Sequence, residues 1–215
     1  MSETLTLADF DRDGALEEAA TKAGSRADFL RKAAIGGGAI IGGSSLMGFL
    51  PAIAQAATPK GDVAILNFAL TLEYLEAEFY TQAVRQNLGG KAAQLARVIG
   101  AHERAHVAFL KGALKSAAVK KPKFDFKGTT QDATKFLQTA RVLEDTGVQA
   151  YLGQVGNIKT KGILKAAGSI LTVEARHAAW VRDVLGTPPA PSAFDAGKSK
   201  AKILAAVGGT GFIVG

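Results

Sequence analysis

Apolar residues recur at three- and four-residue intervals along four stretches of this chain, with polar breaks between them. In residues 61–87, GDVAILNFALTLEYLEAEFYTQAVRQN, the stripe is Leu66, Ala69, Leu72, Phe79 and Ala83, the spacing of one helix face. Asn87-Leu88-Gly89-Gly90 ends it, because paired glycines favour a C-terminal cap and a turn. Further helices are predicted over about 91–117, 130–155 and 162–185, and Thr187-Pro188-Pro189 stops the last. Between the second and third lies AVKKPKFDFKGT, residues 118–129. A dozen extended residues span roughly 40 Å, close to the length of a 27-residue helix. The second helix can therefore cross back along the bundle before the third begins. The prediction is an all-α, four-helix bundle of two antiparallel hairpins joined by one long crossover, with a short helical C-terminal tail.

Polar residues interrupt the apolar faces in a repeated order. Glu73, Tyr80, Glu103 and His106 recur as Glu144, Tyr151, Glu174 and His177, all four at one constant offset and with no gap between the copies. The first turn centres on Leu88, which lies midway in sequence between Glu73 and Glu103. In an antiparallel hairpin both then sit at one height, roughly 22 Å from the turn. The second turn centres on Lys159, between Gly156 and Gly162, and Lys159 is likewise midway between Glu144 and Glu174. Within each Glu-x-x-His, the i, i+3 offset puts carboxylate and imidazole on one face. One Glu from each of two helices and Glu-x-x-His from the other two is the ligand set of a dinuclear carboxylate site. Such groups at mid-helix on an apolar face are costly unless paired or metal-bound.

Other residues are weighed against that set. The third histidine, His102, is matched by Val173 and is expected at the periphery or behind a ligand rather than as a ligand. Glu76 lies one turn beyond Glu73 and is able to face inward, but its match is Gly147, so Glu73 is preferred; Glu78 is expected to face solvent. Tyr80 and Tyr151 suit a hydrogen bond to a ligand or an electron relay, and equally a core aromatic with a satisfied hydroxyl. Phe109 and Trp180, equivalent in the repeat, read as core, and Arg104 and Arg176 as surface neighbours of the ligands.

Across residues 61–186 the pattern is similar to the ferritin-like di-iron superfamily. LNFALTLEYLEAEFY and PSAFDAGKSKAKILAAVGGTGFIV resemble the exported ferritin-like family that includes desiccation-related proteins. The resemblance implies that Glu73 and Glu144 are terminal carboxylates, that Glu103 and Glu174 bridge two metals, and that His106 and His177 each cap one. Two iron or manganese ions suit this mixed donor set. The implied activity is a di-metal oxidoreductase that oxidises ferrous iron or consumes peroxide or dioxygen. The rival is a non-catalytic stress or desiccation-related scaffold on the same fold. Met1 and Met47 are the only methionines and both precede the bundle, which leaves no methionine haem ligand in it. There is no cysteine for a four-Cys iron centre, and the tail 187–215 does not read as the fifth helix of a storage cage.

Residues 1–56 read as an export signal. Arg26, Arg31 and Lys32 precede an uncharged, Gly-rich apolar stretch, 33–50, and Ala54-Gln55-Ala56 offers a cleavage site. Ser25–Lys32 resembles a twin-arginine signal with Ala27 where the second Arg belongs. The expectation is a periplasmic or extracellular protein with no membrane span after cleavage. What remains, 57–186 as bundle and 187–215 as tail, carries 21 Lys+Arg against 12 Asp+Glu. No nucleic-acid motif accompanies this charge, and Lys120, Lys121, Lys123 and Lys127 read as a solvated face, so no nucleic-acid partner is expected. A second copy of the chain, as a homodimer, is carried as a candidate partner.

Overall fold

A computed structural model of the chain describes residues 58–86 and 88–214. The export signal expected over 1–56 lies outside them. Four long helices follow one another: α1 Lys60–Val84, α2 Gly90–Leu114, α3 Ala133–Val155 and α4 Lys161–Val184. A short α5, Lys200–Thr210, stands in the tail. α1 packs chiefly on α2, and α3 on α4, while lesser α1–α3 and α2–α4 contacts join the two hairpins.

Three helix ends differ from the sequence expectation: α2 stops at Leu114, where Lys115–Ala117 tighten into a 3-10 turn, and two others differ for local reasons. α1 stops at Val84 because Arg85 and Gln86 turn their N–H groups back to Gln82 and Ala83. Gly89 and Gly90 then take φ of +75° and +48°, a left-handed backbone that glycine adopts without strain. α3 begins at Ala133 because Asp132 caps it, accepting the Lys135 N–H at 2.8 Å. Gln131, expected inside that helix, is instead spent in a turn to Gly128, just after Thr129 at the end of the crossover turns back to Phe126.

The crossover runs along α1. Asn67 anchors its start, donating to the Ala117 carbonyl at 2.9 Å and accepting the Val119 N–H at 2.8 Å. Farther on, Lys121 pairs with Glu78, and Phe126 packs edge-on to Phe79 at 5.3 Å between centroids. Glu78 and Lys121 are therefore an ion pair rather than two solvated charges, because the crossover covers that side of α1. At the other end of α1, Asp62 accepts the N–H groups of Lys159 and Thr160 at 3.0 and 2.9 Å. Phe79 stacks on Phe136 near the start of α3. So α1 begins beside the α3–α4 turn and ends beside the start of α3, and the two helices run antiparallel.

The core has two halves. One gathers Phe79, Tyr80, Leu95, Ile99, Phe126 and Phe136; the other gathers Leu66, Leu70, Phe109, Leu110, Tyr151 and Ile163. Phe109 is buried in the second half, and half-buried Trp180 packs against the first. Fully burying a side chain of this size contributes about 1.5–3 kcal/mol, which lets the bundle carry polar groups between the halves.

The tail closes over the bundle. Ile203 and Val207 of α5 join the first half of the core. Asp125 donates its N–H to the Phe212 carbonyl and Val214 donates to Lys123, both at 2.9 Å, so the last residues lie antiparallel on the crossover. Near the α3 end of the tail, Lys198 donates to the Gln149 carbonyl at 2.9 Å and crosses at Gly153. No helix among the described residues is long and apolar enough to cross a membrane.

Candidate metal centre

All six predicted ligands meet in one buried cluster between the core halves. Glu73, Glu103, Glu144 and Glu174 are each 0 % exposed, and His106 and His177 are buried with them. Two overlapping quartets form, Glu73–Glu103–His106–Glu174 and Glu103–Glu144–Glu174–His177, with the donor atoms of each within 4.8 Å of one another. Glu103 and Glu174 belong to both quartets, whereas Glu73 and Glu144 belong to one each.

The imidazoles face more acceptors than they can serve. His106 Nδ1 lies 3.2 Å from Glu73 Oε2, 3.3 Å from Glu103 Oε2 and 3.1 Å from Glu174 Oε1. His177 Nδ1 lies 3.2 Å from Glu144 Oε2, 3.0 Å from Glu103 Oε1 and 4.0 Å from Glu174 Oε2. One Nδ1–H satisfies one good acceptor. Glu103 Oε1 and both oxygens of Glu174 accordingly make no hydrogen bond: Glu103 Oε1 and Glu174 Oε1 lie off the N–H direction, and Glu174 Oε2 lies too far away. Donors that bind a common ion at about 2.0–2.2 Å stand about 3–3.4 Å apart. The separations and orphaned oxygens therefore fit a pair of metal ions sharing Glu103 and Glu174.

The electrostatics agree with the geometry. Burial pushes the Glu73 carboxyl up to about 7, against a partial opposing pull from His106. Burial also raises Glu144, and raises Glu174 well above the carboxylate range with help from the Glu103 charge. Glu103 goes the other way: burial would raise it, but the hydrogen bond with His106 and the closeness of both imidazoles hold it far below its ordinary value. For the imidazoles, burial opposes the charged form and the surrounding carboxylates outweigh it, taking His177 to about 10 and His106 higher still. A buried cluster of this kind, short of positive charge, is stabilised by a bound cation.

Tyr80 and Tyr151 are tied to the cluster across the hairpins. Tyr80 donates its hydroxyl hydrogen to Glu144 Oε1, and Tyr151 donates to Glu73 Oε1. Burial raises both phenols far above their ordinary range, so each remains a donor. Gly100 makes room for Tyr80, since a Cβ on that glycine would stand 2.8 Å from Tyr80 Cβ. Arg104 binds Thr81 at the surface and Arg176 is exposed.

Two neighbours outside the six predicted ligands also bear on the cluster. His102 Nδ1 lies 2.9 Å from His177 Nε2, with the rings stacked, which orients His177 so that Nδ1 faces the carboxylates. Glu76, set aside in favour of Glu73, is 3 % exposed and points into the same cluster. Its carboxyl is raised well above the ordinary range, first by burial and then by the charges of Glu174 and Glu144. The signal for His102 was its scarcity as one of three histidines; for Glu76 it was the i, i+3 spacing from Glu73.

Two antiparallel helix hairpins, a long crossover, and Glu and Glu-x-x-His groups facing inward define the class of four-helix bundles built around a shared carboxylate cluster. The chain matches the ferritin-like domain family over residues 61–187. That is more than half of its length, and the protein belongs to this family. A search of curated proteins finds no match.

Proposed function

We propose that this protein holds two iron or manganese ions within the bundle and uses them to oxidise ferrous iron or to consume peroxide or dioxygen. The carrying observation is the pair of quartets that share Glu103 and Glu174. Bound there, two such ions supply a clamp for small oxidants. Glu103 and Glu174 tie the two positions together, Glu73 and Glu144 complete one each, and His106 and His177 present Nδ1 to them. Tyr80 and Tyr151 hold the terminal carboxylates in place by hydrogen bonds. Imidazole and carboxylate together suit iron and manganese alike. Residues 25–56 favour work outside the cytoplasm, which N-terminal sequencing of the exported chain would test.

The test is oxidant consumption by the metal-loaded full chain, with ferrous iron, dioxygen and peroxide supplied in turn. Turnover that is lost in Glu103→Ala/His106→Ala supports the proposal. A second reading, a stress or desiccation-related scaffold whose metal serves structure, is favoured by the complete burial of all four carboxylates. It predicts no turnover in the wild type, and a melting temperature that falls when the metal is removed.

A further inference from the structure

The repeat symmetry of the site is broken in two places, and both lie beside the Glu144–His177 position. Glu76 on α1 is matched by Gly147 on α3, and His102 on α2 by Val173 on α4. His102 backs His177 at 2.9 Å, whereas Val173 has no polar side chain to offer His106.

Glu76 is the more consequential of the two. At 3 % exposure it has no hydrogen-bond or ion-pair partner among the described residues. A Cβ on Gly147 would stand 3.4 Å from Glu76 Oε1 and 3.0 Å from Glu174 Oε2, an oxygen that is itself unpartnered. Both oxygens thus converge on one side-chain-free step of α3, one turn beyond Glu144. A glycine inside a helix is less favourable than an alanine, and such a site calls for a packing reason. Here the missing side chain is the room in which the extra carboxylate stands. Although Glu76 shares α1 with Glu73, it feels the charges of Glu174 and Glu144 more strongly than that of Glu73.

We infer that Glu76 is a fifth carboxylate ligand of the centre, serving the ion held by Glu144 and His177, and that the two metal positions are unequal in consequence. The inference rests on the metal-centre reading proposed above. Glu76 stands outside both close quartets, so it joins by turning about its own side-chain torsions when the ion binds. Four carboxylates balance two divalent ions. The fifth concentrates negative charge at the Glu144–His177 position, which therefore fills first.

The test is anaerobic titration of the metal-free full chain with Mn(II), reading free Mn(II) by electron paramagnetic resonance. Wild type, Glu76→Gln and Glu78→Gln are compared, with circular dichroism to check the fold. Glu78 shares the helix but pairs with Lys121 outside the cluster, which makes it the control. Wild type should bind in two steps of unequal affinity. Glu76→Gln should weaken the tighter step by about 10–100-fold and leave the other within about twofold, while Glu78→Gln changes neither. If Glu76→Gln disturbs the helical signal, Glu76→Asp gives the same comparison with the charge kept and its reach shortened. Two unchanged steps in the folded variant, or equal weakening of both, would overturn the inference and leave the metal centre standing. A wild type that binds no Mn(II) would instead strike down the metal-centre reading itself.

Discussion

Tyr80 on α1 hydrogen-bonds Glu144 on α3, across the boundary between the two hairpins. Its equivalent, Tyr151, returns the bond to Glu73. Each hairpin thus positions a buried carboxylate of the other, and neither half of the cluster is complete alone. Tyr80→Phe leaves a buried carboxylate oxygen without its donor, at a cost of about 1–3 kcal/mol. Tyr151→Phe should cost the metal-free protein a similar amount, and the double variant should show how far the bonds act together. Chemical denaturation of the three variants checks this, and a loss confined to one tyrosine would contradict the reciprocal arrangement.

The cluster makes metal-free stability depend on pH in a definite direction. Glu73 moves from an ordinary 4.5 to about 7 on folding, and His177 from 6.5 to about 10. Over both intervals the folded state holds the extra proton, so the stability present at low pH is lost as pH rises through them. The melting temperature of the metal-free protein should fall steadily from about pH 5 to about pH 9. Metal binding displaces those protons, so the loaded protein should show a flat or opposite trend. A metal-free melting temperature that climbs over this range would refute the assignment.

Gly147→Ala separates folding from metal binding. Alanine favours an α-helix over glycine by about 1 kcal/mol, so the metal-free bundle should not lose stability. The new Cβ, 3.0 Å from Glu174 Oε2, obliges a shared carboxylate to shift. Metal affinity should drop by about tenfold while the melting temperature of the metal-free form holds or rises. Calorimetric titration alongside thermal melting reads both.

Gly153→Ala should do the reverse. Its Cβ would fall 1.9 Å from the Lys198 carbonyl oxygen, a backbone atom, so the tail must lift away from α3. Limited proteolysis should then cut between Gly186 and Lys200 faster than in wild type, with metal content unchanged.

Much of this architecture was readable from the sequence because it obeys a period. Apolar stripes at helical spacing set four helices, and the repeat chose Glu73, Glu103, His106 and their equivalents without any contact information. A repeat, however, relates residues that are equivalent, not residues that touch. It could not reveal that Tyr80 bonds to Glu144, the equivalent of its own helix neighbour Glu73, since that depends on how the hairpins face. It also argued against Glu76, because the residue matters through being unmatched. The tail's docking at Gly153 and the pairing of Phe124 with Ile213 are long-range contacts with no periodic trace.

The most direct measurement is metal per chain, by elemental mass spectrometry, for the full-length protein produced with iron and manganese both available. The Glu103→Ala/His106→Ala variant, prepared identically, removes a shared carboxylate and one imidazole. About two metal ions per chain in the wild type, lost in a variant that still folds, is the predicted result. A well-folded helical wild type with almost no metal would contradict the account at its centre.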